Sequence, residues 1–148
     1  MHNFIEYRPP RIAMSFVLIA LAANAFLPLP TLASLPVAAA LMVGIGFWLM
    51  IRAWWSFRLV GTAICPTATA TTLVTNGVFA ITRNPMYLGI FLMLLGLAVA
   101  TGSLPFYVAA AAYAMVMDRA FCPHEELKSA AEFGQDYLDY CKQVRRWL

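Results

Sequence analysis

The chain has 148 residues, room for one domain. It is 62% hydrophobic and 11% charged, against ~25% charged in a typical soluble domain, which excludes an ordinary soluble protein and points to a membrane. The formal net charge of +3 comes from scattered arginines and lysines, so nucleic-acid binding has no support.

Charge placement divides the chain. No charged residue occurs over 12–51 or over 84–117. Each interval is too long for one span of ~20 residues, and each breaks in the middle, at 28–34 and at 101–103. The pattern predicts an all-α polytopic membrane protein with four transmembrane helices at about 12–27, 35–57, 86–101 and 104–121, arranged as two hairpins. The first apolar run follows Arg8 and Arg11 and ends near Ala23-Asn24-Ala25, but it continues through Phe26 and Leu27. A retained anchor therefore fits better than a cleaved leader.

The second and fourth helices open alike, Ser34-Leu35-Pro36 and Ser103-Leu104-Pro105, each reading as a serine cap with an early proline. Trp48, Trp54 and Trp55, with Arg52 and Arg58, suit an interfacial belt. A polar, threonine-rich cytoplasmic loop follows over 61–84, and Asn76-Gly77 reads as a turn. Asn84-Pro85 reads as a side-chain cap and first helical residue. Gly89, Gly96 and Ala100 form a small-residue face for close packing. Cys122-Pro123 predicts a kink or restart, and Phe133-Gly134 an interruption. The segment 124–148 reads as amphipathic: Tyr137, Tyr140, Cys141, Val144 and Leu148 recur at helical spacing among Lys142, Arg145, Arg146 and Trp147, as in a helix lying on the membrane surface.

Neither hairpin turn carries a charge, whereas Arg8, Arg11, Arg52, Arg58, Arg83 and Arg119 flank the spans on one side. The positive-inside rule makes that side cytoplasmic, with both termini there, in an integral inner (cytoplasmic) membrane protein. Cys65, Cys122 and Cys141 are odd in number, lack metal-type spacing and read as reduced thiols.

Two polar groups stand out. Arg83, Asn84 and Tyr87 open the third helix, and Asp118, Arg119, His124, Glu125 and Glu126 close the fourth. The short turn at 101–103 makes these helices antiparallel neighbours, so the two groups should meet at one depth. Ionisable residues there are functional candidates; an interfacial set of salt bridges such as Arg83 with Glu126 is the alternative. Phosphate loops, nucleotide fingerprints and zinc spacing are missing, so no metal is expected.

The pattern Gly77-x-Phe79-x-x-x-Arg83-Asn84-Pro85-x-Tyr87-x-Gly89, then Glu125-Glu126-Leu127, then Phe133-Gly134-x-x-Tyr137-x-x-Tyr140, resembles the isoprenylcysteine carboxyl methyltransferase family, itself similar to membrane phospholipid N-methyltransferases. The resemblance runs from Gly61 to Leu148. It implies S-adenosylmethionine as cofactor, with S-adenosylhomocysteine as product. By motif, Asn84, Tyr87, Gly89, His124, Glu125, Glu126 and Tyr137 are the expected cofactor-binding residues, and Arg83, Glu126, Arg145 and Arg146 the expected catalytic set near the substrate head group. The eukaryotic enzymes have histidine where this chain has Asn84, which cannot titrate. The expected activity is methyl transfer to a carboxylate, amine or thiol of a lipidic or small hydrophobic acceptor. The expected partners are that substrate and membrane lipids. The alternative is a non-catalytic membrane scaffold or partner-binding module.

Overall fold

The computed structural model describes residues 9–27, 29, 31–61 and 72–148; Arg8, Cys65 and most of the threonine-rich loop lie outside them. The chain is helical throughout, with α1 (Pro9–Phe26), α2 (Pro36–Val60), α3 (Pro85–Thr101), α4 (Leu104–Val116), α5 (Cys122–Phe133) and α6 (Gln135–Gln143). A 3-10 turn, Gly77–Ala80, precedes α3, and a π turn, Met117–Phe121, joins α4 to α5. Two helices, α1 and α2, are long and apolar enough to cross a membrane. Most of their residues face outward: Ile19, Leu18, Val37, Leu41 and Phe47 are all exposed. A soluble protein would bury such helices.

The helices stack in the order α2, α3, α4, α1. The largest interface joins α2 to α3, where small residues let the backbones meet. A Cβ built on Gly46 would lie 2.5 Å from the Gly89 carbonyl, and one on Gly89 would lie 2.6 Å from the Gly46 carbonyl. Gly96 meets Ala39 and Val43 one layer further along. The expected small-residue face on α3 is therefore used, inside the bundle. The first pair differs from expectation. Among the described residues α1 packs chiefly on α4 and α2 on α3, so α1 and α2 do not form a packed hairpin. Their connection crosses the α3–α4 corner instead: Leu32 N–H bonds to Gly102 O (2.7 Å) and Leu35 N–H to Val99 O (3.2 Å). Gly102 sits at φ +65°, and a side chain there would strike the Leu32 backbone. Only glycine satisfies both constraints.

Helix starts also depart from the reading above. α2 begins with Leu35 in the cap position, not Ser34. Ser103 does precede α4, but its hydroxyl donates to Asn24 Oδ1 on α1 (2.7 Å) and does not cap. Prolines still occupy the first turns of α2, α3 and α4, where no N–H is needed. Pro123 does not break the helix. The π turn lies just before it, with Cys122 N–H bonded five residues back to Met117 O, and the wider turn accommodates the ring.

Much of the apolar face of α6 is turned into the protein. Tyr137, Tyr140 and Val144 are buried against Leu73, Ala130, Phe133 and Cys141 of the same chain, and the helix ends at Gln143 with Val144 extended. The Tyr140 hydroxyl donates to Phe79 O (2.6 Å), tying α6 to the 3-10 turn. That turn packs Val78 and Phe79 onto Leu49 and Ala53 of α2 and Leu88 of α3.

Gly46→Leu should lower the melting temperature in detergent by several degrees, because the opposing atoms are backbone and cannot yield; overpacking typically costs ~1–3 kcal/mol. Gly44→Ala, on the open side of the same helix, should leave it equal or slightly higher. Equal melting of the two variants would contradict the close α2–α3 contact.

Candidate active site

Residues 144–147 run as an extended strap across the start of α3. Arg83 N–H donates to Arg145 O (3.0 Å). Arg146 O accepts from the Thr82 hydroxyl (2.9 Å) and from Asn84 Nδ2 (3.2 Å). Asn84 thus departs from its expected role: no side chain caps α3, and the Asn84 amide holds the strap. Its backbone still begins the helix, with Leu88 N–H bonded to Asn84 O (3.0 Å).

The strap delivers Arg146 to two acids. Its Nε and Nη2 form a two-pronged contact with Glu126, at 2.9 and 2.6 Å, and its Nη1 donates to Asp118 Oδ1 at 2.9 Å. The Trp147 indole N–H donates to the same Asp118 oxygen at 2.9 Å. Arg83 Nη2 lies 3.2 Å from Glu126 Oε1, and Arg83 Nη1 donates to Cys141 Sγ. Glu126 is therefore shared by two guanidiniums, a strong planar geometry for a carboxylate. Its hydrogen bonds push Arg146 above its ordinary pKa, so the cation is fixed. The two distant polar groups of the sequence do meet, as the α3–α4 turn requires.

Beside this corner is a second one. The Tyr87 hydroxyl donates to Glu125 Oε1. Glu125 is partly buried, and burial holds its carboxyl above the ordinary range, against the opposing effect of the Tyr87 bond. Burial also pushes Tyr140 up to about 12, keeping it a donor. Two buried polar atoms have no partner among the described residues, Arg83 Nε and the Tyr113 hydroxyl. Tyr113 packs in one cluster with Tyr87, Met117 and Cys122.

Not every expected residue joins. His124 is exposed at the start of α5, and the Arg145 side chain is exposed, contributing only its carbonyl. Gly89 faces Gly46 on α2 and acts in helix packing. Tyr137 lies near Arg83 and Glu126, beside Cys141, and burial raises its pKa. The site residues that sequence reasoning did not single out are Thr82, Tyr113, Cys141 and Trp147. Only Trp147 carried a signal, as an aromatic beside the paired arginines.

One family model, phospholipid methyltransferase, matches residues 35–136. It covers α2 through α5 and the start of α6, and so takes in Arg83, Tyr87, Glu125 and Glu126. No curated protein and no solved structure matches at the significance required of a relative. On more than half of its length, the chain belongs to the phospholipid methyltransferase family of membrane methyltransferases.

Proposed function

We propose that this protein crosses the inner membrane with four spans, α1, α2, α3 and α4 with its π turn, and methylates a lipidic or small hydrophobic acceptor at the cytoplasmic face. The observation that carries the reading is the match of the phospholipid methyltransferase model to residues 35–136, which takes in the Tyr87–Glu125 pair and Arg83, whose buried Nε has no partner among the described residues. Charge placement supports the topology: Arg52, Arg58, Arg83 and Arg119 all flank one end of the spans. The order of the motifs from Arg83 to Tyr140 further supports a place near the isoprenylcysteine carboxyl methyltransferases.

The residues present fit S-adenosylmethionine. Its amino-acid end is a zwitterion, and the site offers matched unpaired groups, an Arg83 Nε–H donor and the Tyr113 hydroxyl, both buried. When bound, the group supplies an electrophilic methyl on a sulfonium, which leaves as a thioether. Glu125 and Tyr87 bind its cationic groups, and Arg83 takes a carboxylate, from the donor or from an acceptor head group. Glu126, already engaged by Arg83 and Arg146, acts as a positioning residue. Trp147 and the strap exclude water, which raises the strength of every charge interaction there. A carboxylate acceptor reacts without a base; an amine or thiol must lose its proton, and Asn84 cannot take it.

A non-catalytic scaffold is the second reading. One observation favours it: Arg146 and Arg83 already neutralise Glu126, so much of the network is complete in itself. Binding separates the two. Calorimetry in detergent should show saturable S-adenosylmethionine binding that Arg83→Ala and Glu126→Ala abolish; no binding by the wild type would end the enzyme reading.

Asn84→His, which retains an N–H for the Arg146 carbonyl, should keep donor affinity within a fewfold, while Asn84→Leu should lose it. Equal affinities for both variants would remove the strap-holding role.

Glu125→Gln should weaken donor binding yet stabilise the empty protein at neutral pH. The folded pKa of Glu125 is raised, so its burial is tolerated fully below the ordinary value of 4.5 and loses stability as pH rises through the folded pKa. Wild type and variant should therefore melt together at acid pH and diverge as pH increases, with the variant higher. A constant difference across pH would contradict the raised pKa.

A further inference from the structure

We propose that the Tyr113 hydroxyl is a further contact for the methyl donor, accepting a hydrogen bond from its α-ammonium group beside Glu125. The inference rests on the methyltransferase reading above. Tyr113 is fully buried, and its hydroxyl lacks a partner among the described residues. A phenylalanine would fill the same space and leave no polar atom stranded. Buried hydroxyls without partners are rare in native proteins, and each asks for a water, an ion or a ligand.

The surroundings choose among ligand chemistries. The Tyr113 ring packs with Tyr87 and Cys122. Glu125 accepts from Tyr87, which shares this cluster with Tyr113. Lys128 acts on Glu125 from its own helix and also pairs with Glu132 at 3.9 Å. The guanidiniums of Arg83 and Arg146 are directed instead to Glu126. One corner thus offers an acid and hydroxyls, suited to a cation. The group around Glu126 offers the unpaired Arg83 Nε–H, suited to an anion. An α-amino acid carries both charges, and of the two its amine suits the Tyr113 side.

The test compares S-adenosylhomocysteine with 5′-methylthioadenosine, which lacks the amino-acid end, by calorimetry on the full chain in detergent. Tyr113→Phe should weaken S-adenosylhomocysteine about tenfold, as for a hydrogen bond to a charged group. It should leave 5′-methylthioadenosine within twofold, and the empty variant should melt at or above wild type. Unchanged affinity for both ligands would overturn the contact, and with a lowered melting temperature it would assign the hydroxyl to a trapped water. Equal losses for both ligands would move it to the adenosine and overturn the amine assignment. Tyr113→Met, which also lacks the hydroxyl, should repeat the selective loss, and this keeps the test decisive if Tyr113→Phe does not fold. Wild type binding neither ligand would end the methyl-donor reading itself; wild-type binding left unchanged by the variant ends only this inference.

Discussion

Glu126 is the contact on which the site depends. It receives Arg146 through two parallel hydrogen bonds and forms an ion pair with Arg83 at 3.2 Å. With Asp118 on the far side of Arg146, two guanidiniums face two carboxylates and the formal charges cancel. Such a set tolerates partial burial only as a whole, since removing one member strands its partner away from water. It also joins three pieces of chain that nothing local brings together: the start of α3, the first turns of α5 and the extended residues after α6. The fold around it serves mainly to fix the depth at which they meet.

That depth is set by two glycine contacts. Gly46 and Gly89 bring α2 and α3 to backbone distance near the site, and Gly102 turns the chain at the other end, where the Leu32 amide bonds to its carbonyl. Between them α3 has almost no freedom to slide. Arg83, Asn84 and Tyr87 at its start are therefore held by contacts made a full helix away. The same rigidity explains why a tyrosine such as Tyr113 can remain without a partner: the packed cluster around it cannot shift to supply one.

The helices were readable because lipid imposes a coarse rule: long charge-free intervals with a break, at 28–34 and at 101–103. The meeting of Arg83 and Glu126 was readable for a related reason, since a short turn leaves α3 and α4 no choice but to lie antiparallel. What escaped were choices between partners of equal chemistry. Asn84 can bond to its own helix or to a distant carbonyl, and only the position of the strap decides. Ser103 likewise prefers Asn24 to its own backbone. The apolar positions Tyr137, Tyr140 and Val144 fit a membrane surface or a protein groove equally well, and the groove formed by Leu73 and Phe133 wins. Periodicity reports that a face is apolar, not what covers it.

The stacking order has a consequence for biogenesis. Of the four stacked helices, α1 is made before the rest, yet its main neighbour, α4, follows α2 and α3 in the chain. Until α4 is made, the 18 residues of α1 lack the helix on which they chiefly pack. Completion of the bundle therefore waits for α4, over which α1 closes with Asn24 bonded to Ser103.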